Sequence, residues 1–128
     1  MMSQVFRALL VSFAILAGNA FAAEAPFEAA RFQTLLSTGQ PVAIDFYASW
    51  CPTCRAQAPL LKALTKQPEF HGLTLLVADF DTETRLRKDL NVGMQSTVVV
   101  FRHGAEVARS TGDTSEAGLA RLLRTAIR

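Results

Sequence analysis

Cysteine is scarce here, with two in 128 residues, and histidine equally so. His71 and His103 stand alone in turn-like segments away from the cysteines, so no four-donor zinc site is spelled out. Basic runs are missing as well. Thirteen Lys and Arg against eleven Asp and Glu leave a net charge of +2 with no cluster, which excludes an electrostatic footprint for nucleic acid or an anionic membrane surface. Repeats, low-complexity tracts and Pro/Gly-rich linkers are also absent, so one domain with a modest core is expected.

The longest apolar run near the start, Ala8 to Ala17, is shorter than the roughly 20 residues a bilayer span needs. Arg7 precedes it and Gly18-Asn19-Ala20-Phe21-Ala22 follows it, the pattern of a secretory leader cut after Ala22. Residues 1–22 are therefore read as a cleaved signal peptide and 23–128 as the mature domain. An uncleaved segment would instead tether the same domain to the outer face of the inner membrane. Both readings place the domain in the periplasm, where thiols meet oxidising conditions.

Along the mature chain, Pro26 reads as the first turn of a helix carrying Phe32, Leu35 and Leu36, stopped by Gly39. Val42 to Ala48 reads as a buried strand, and Pro52 to about Lys66 as a helix with Ala56, Leu60, Ala63 and Leu64 on one face and Pro59 inside it. Leu73 to Ala78 is a second strand. Thr82 caps a short helix through Leu86 and Leu90, and Thr97–Phe101, Arg102-His103-Gly104 and Glu106–Ser110 form a hairpin. A last helix after Asp113 or Thr114 presents Leu119, Leu122, Leu123 and Ile127. The order α, β, α, β, α, β, β, α implies an α/β fold with parallel strands and an antiparallel closing hairpin.

Both cysteines fall in Ser49-Trp50-Cys51-Pro52-Thr53-Cys54-Arg55, between the first strand and the second helix. A cysteine at a helix N-terminus faces unpaired N–H groups and the positive end of the peptide dipoles, so its thiolate is favoured. Cys51 is expected at that junction, with the better solvent access. Cys54 lies one turn on, within reach of a mixed disulfide formed by Cys51. An inert disulfide is a poor alternative, because so short a loop constrains the unfolded chain little. Asp45 sits inside the apolar strand, where desolvation raises its pKa. Trp50 adjoins the nucleophile at the rim.

The stretch from Val42 to Cys54 resembles the strand and W-C-x-x-C active site of the thioredoxin family, and Pro59, the hairpin from Thr97 to Gly104 and Gly112 fall in register with it. The resemblance implies a thioredoxin-like fold, a mixed sheet of four to five strands flanked by helices on both faces, with a first strand before Pro26 short or missing. It implies thiol-disulfide exchange in which Cys51 is the nucleophile, Cys54 the resolving thiol, and Asp45 a buried proton acceptor working through water. Pro52 and Thr53 complete the motif. No metal or cofactor is implied beyond a redox-active Cys51–Cys54 disulfide. Two departures stand out. Relatives often pair the aspartate with a lysine, for which the matching position here is Val77. Where relatives carry a cis-proline facing the cysteines, this chain reads Gln95-Ser96-Thr97, where a cis bond would be strained; Ser96 then either donates a hydrogen bond toward Cys51 through its N–H or hydroxyl or completes a turn. That same loop is where extended substrate segments would add.

The expected partners are disulfide- or thiol-containing secreted proteins and a membrane thiol electron donor, with no nucleic acid, and the domain is expected to act as a monomer. Reduction is the favoured direction. A disulfide oxidase of the same fold and a Cu(I)-binding or chaperone-like module without turnover stay open. An isomerase of this type would need a dimerisation domain for which no residues remain.

Overall fold

The computed structural model describes residues 23–128. The leader assigned to residues 1–22 lies outside the described residues. A five-stranded sheet has the order β1-β3-β2-β4-β5, built from β1 (Ala23–Pro26), β2 (Val42–Tyr47), β3 (Thr74–Asp79), β4 (Thr97–Arg102) and β5 (Ala105–Thr111). β1 and β2 both run parallel to β3, while β4 is antiparallel to β2 and to β5. Four helices accompany it: α1 (Ala29–Ser37), α2 (Pro52–Thr65), α3 (Thr84–Asp89) and α4 (Glu116–Arg124). This is the thioredoxin-like architecture, at the five-stranded end of the expected range.

Strand alternation decides which helix each side chain meets. Val42, Ile44 and Phe46 of β2 pack with Phe32 of α1, Leu86 of α3, Leu76, Val99 and Phe101. Ala43 goes to the other face with Leu75, Val98 and Val100, against Leu61 and Leu64 of α2 and Leu119 and Leu123 of α4. Asp45 shares the parity of Ala43 and is therefore carried toward the α2 side of the sheet. One register step in β2 would exchange these two sets and remove the carboxyl from beneath the cysteine helix.

Three local expectations change. Pro26 does not open α1 but closes β1, opposite Val77, at a sheet edge where its missing N–H leaves no ladder bond broken. The helix begins at Ala29 after Glu28. Thr82 is not the cap of α3, whose N-cap is Glu83; instead Asp79 Oδ1 accepts the N–H groups of Asp81 and Thr82 and shapes the preceding turn. The buried stripe of α2 runs through Cys54, Gln57, Leu61 and Leu64, while Ala56 and Ala63 face solvent. A polar residue at the centre of that stripe disguised it.

The hairpin turn is as read. His103 at φ +51° and Gly104 at φ +78° supply the two positive dihedrals of a type I′ turn. A Cβ on Gly104 would stand 3.0 Å from the Leu36 carbonyl oxygen, whereas one on Gly72, at φ +90°, would meet open space. Gly104→Ala should therefore cost about 2 kcal/mol in urea unfolding, combining the left-handed penalty with the close approach, and Gly72→Ala should cost less.

Candidate active site

β2 ends at Tyr47 and the chain turns through Ala48, whose carbonyl accepts the Cys51 N–H at 3.1 Å. Cys51 is the N-cap of α2, extended at φ −91° and ψ 115°, and its Sγ accepts the Cys54 N–H at 3.2 Å. A sulfur thus takes the place that Ser, Thr or Asp oxygen fills at most helix starts. Pro52 occupies the first helical position, where a missing donor costs nothing, and Thr53 follows half-buried. Cys54 falls inside the first turn. Solvent access does not distinguish the pair as expected, because Cys51 and Cys54 are 2% and 1% exposed. Their positions in the helix do.

Ser96 meets both sulfurs. Its Oγ lies 2.9 Å from Cys54 Sγ and 3.4 Å from Cys51 Sγ, so the hydroxyl bridges the pair and stands closer to Cys54 than anticipated. The Gln95–Ser96 bond is trans, as are all peptide bonds of the described residues, and Ser96 reaches this position with φ +59°. That left-handed conformation costs a non-glycine residue about 1–2 kcal/mol. It is held from several sides. Ser96 N–H donates to the Phe46 carbonyl at 2.9 Å, and the Ser96 carbonyl accepts from Gly112 N–H at 3.0 Å and from Gln57 Nε2 at 3.4 Å. Thr97 Oγ1 secures the next residue by donating to the Met94 carbonyl, 2.8 Å away, and it also bonds Thr111 Oγ1 at 2.8 Å.

Gln57 was not singled out in the sequence. Fully buried on α2, one turn beyond Cys54, it also donates through Nε2 to the Asp113 carbonyl at 2.9 Å, joining the cysteine helix to two loops. Its signal was a polar residue three positions after Cys54 on what must be a core-facing stripe. Asp81 was missed too. Its Oδ2 accepts the Trp50 Nε1–H at 2.8 Å and holds the indole at the rim, where 57% of the tryptophan remains exposed.

The two thiols are driven apart in acidity. Burial pushes Cys51 up, but hydrogen bonds from the Cys54 thiol, the Ser96 hydroxyl, the Cys54 backbone N–H and the Gln95 side chain outweigh it and bring the thiol from 9.0 down to about 7. Burial and the same Cys51–Cys54 hydrogen bond push Cys54 up, against a smaller downward pull from Ser96. One thiol is thereby ionised near neutrality while its neighbour keeps its proton.

Asp45 is 2% exposed, and its Oδ1 has no hydrogen-bond partner among the described residues. Across the parallel ladder it faces Val77, so the lysine of relatives has an apolar replacement. Glu24 lines the same pocket, of about 200 Å³, with Ala58 and Leu61. Burial, then the Glu24 charge, then that of Cys51 raise Asp45 from 3.8 to about 7. The folded state therefore binds this proton more tightly than the unfolded chain, and stability drains away as pH climbs from about 4 to about 7. Asp45→Asn should match the parent below pH 4 and exceed its unfolding free energy by roughly 4 kcal/mol above pH 7. Chemical denaturation of both proteins across that range checks this, and a pH-independent difference would contradict the burial argument.

The thioredoxin family model matches residues 24–125. Thioredoxin of Mycobacterium bovis is 34% identical over 95 residues, spanning 73% of this chain and 81% of the relative. The bifunctional thioredoxin reductase/thioredoxin of Mycobacterium leprae is 32% identical over 94 residues, and the chain spans only 20% of that longer protein. Among solved structures, Trxlp from Edwardsiella tarda superposes with a TM-score of 0.77 at 37% identity, covering 79% of this chain and 98% of its own. With the sheet order, the cysteine-capped helix and these similarities in agreement, the chain belongs to the thioredoxin family of thiol-disulfide oxidoreductases.

Proposed function

We propose that the domain reduces disulfides of proteins outside the cytosol, with Cys51 as nucleophile and Cys54 as resolving thiol. The observation that carries this reading is the unequal pair: a Cys51 sulfur that caps α2 with its thiol brought down to about 7, beside a Cys54 thiol pushed up. Cys51 thiolate attacks a substrate disulfide, expelling one substrate sulfur and forming a mixed disulfide. Cys54 then attacks Cys51 Sγ, releases the second substrate sulfur and closes the Cys51–Cys54 disulfide. Asp45, protonated more readily than an aspartate paired with lysine, exchanges protons with the site through water in this reading. A membrane thiol donor recharges the oxidised domain, which works as a monomer. The periplasmic assignment rests on Arg7, the apolar run Ala8–Ala17 and the small residues before Ala22.

Direction is the finer part of the proposal. Trp50 and Asp45 favour reduction, and the couple's potential measured against glutathione decides it: about −270 mV supports a reductase and about −120 mV an oxidase. The insulin-reduction assay with dithiothreitol should show turnover that vanishes in Cys51→Ala; stoichiometric Cu(I) uptake without turnover would favour the carrier. Alkylation of Cys51 in the reduced protein should accelerate with a midpoint near pH 7, set by the thiol brought down to about 7. A midpoint at the ordinary thiol value would remove the activated nucleophile.

A further inference from the structure

We propose that the Ser96 hydroxyl is a catalytic proton carrier of the resolving step, taking the Cys54 proton and delivering its own to the departing substrate sulfur. This deepens the oxidoreductase reading and rests on it.

Geometry assigns the role. Ser96 Oγ stands 2.9 Å from Cys54 Sγ, and the same oxygen stands 3.4 Å from Cys51 Sγ. A hydroxyl both donates and accepts, so it can receive Cys54 S–H while pointing its own O–H at the Cys51 side. No hydrogen bond joins Asp45 to Cys54 among the described residues, and the Asp45 Oδ1 atom is unpartnered. The serine is also fixed: its N–H is held by Phe46 and its carbonyl by Gly112 and Gln57, so Oγ keeps its place while the sulfurs exchange partners. A proline at this position would offer neither an N–H nor a hydroxyl. Cys54, pushed up by burial, enters the step protonated and has a proton to lose.

The step balances within the site. In the mixed disulfide, Cys54 Sγ attacks Cys51 Sγ; the Cys51–Cys54 bond forms as the bond from Cys51 to substrate breaks, and its electron pair leaves on the substrate sulfur. The Cys54 proton passes to Ser96 Oγ while the Ser96 hydroxyl proton passes, through one water, to that leaving sulfur, which departs on the side of Cys51 away from Cys54. The cysteine pair is oxidised, the substrate is reduced, and Ser96 returns to its starting state.

The delivering half of the carrier matters only when the leaving sulfur needs a proton. The test uses the full mature domain loaded on Cys51 with either of two groups, glutathione, whose thiol is basic, or 2-nitro-5-thiobenzoate, which leaves as a stable anion. Release by Cys54 is followed in single turnovers. Ser96→Ala should slow glutathione release by about 100-fold, the scale of positioned acid–base catalysis, and slow nitrothiobenzoate release, which needs only the Cys54 proton removed, by clearly less. Ser96→Thr and Ser96→Val carry equal β-branched strain at φ +59° and differ only in the hydroxyl, so Thr should release glutathione faster than Val even if both fold less stably. Equal slowing of both leaving groups, or equal rates for Thr and Val, would overturn the carrier role while leaving the two-cysteine reaction intact. Failure of the unsubstituted domain to release either group by Cys54 attack would overturn the underlying reading.

Discussion

A sulfur atom caps a helix, and the rest of the site is arranged around that substitution. Cys51 Sγ accepts the N–H of Cys54 in the manner of a serine or aspartate oxygen, so the cap and the nucleophile are the same atom. A thiolate is a better partner for unpaired amides than a thiol, and the helix start therefore favours ionisation. Placing that atom requires β2 to stop at Tyr47 and Pro52 to begin α2, and β2 in turn is fixed by Ile44 and Phe46 on one face and Ala43 on the other. The sheet register and the thiol's acidity are thus one constraint seen at two scales.

Opposite the cap, the loop carrying Ser96 replaces a rigid ring with a hydrogen-bonded device. Proline would enforce its backbone covalently. Here Phe46, Gly112 and Gln57 hold a serine in a left-handed conformation, and the gain is a polar oxygen between two sulfurs. Backbone strain of this sort persists where surrounding bonds over-determine it, and such positions cluster at functional sites. Gln57 contributes to this through a side chain that is fully buried, which explains why a polar residue is retained on a core-facing stripe.

Much of this was legible from the sequence, and the failures have physical causes. The buried β2 strand, the hairpin and the terminal helix followed from the apolar pattern and from His103-Gly104, whose turn chemistry is local. Asp45 was identifiable because a carboxylate inside an apolar strand is costly to bury, and its Val77 neighbour follows from parallel register. Pro26 misled because proline suits both a helix start and an edge strand; only pairing with Val77, far along the chain, decides between them. The α2 stripe was misplaced because Gln57 answers to loops that polarity patterns do not see. The bridge from Ser96 to Cys54 depends on a positive φ at a non-glycine residue, which no propensity signals.

The placement of Asp45 within the field of Cys51 carries a thermodynamic corollary. Because the Cys51 charge raises the carboxyl's proton affinity, converting the thiols to a disulfide removes part of that effect and lets Asp45 hold its proton less tightly. Electron uptake by the cysteine pair is then accompanied by partial proton uptake at a third group. The midpoint potential of the couple must consequently fall with pH more steeply around neutrality than two thiols alone would dictate, making the domain's electron-donating strength a function of the acidity of its compartment.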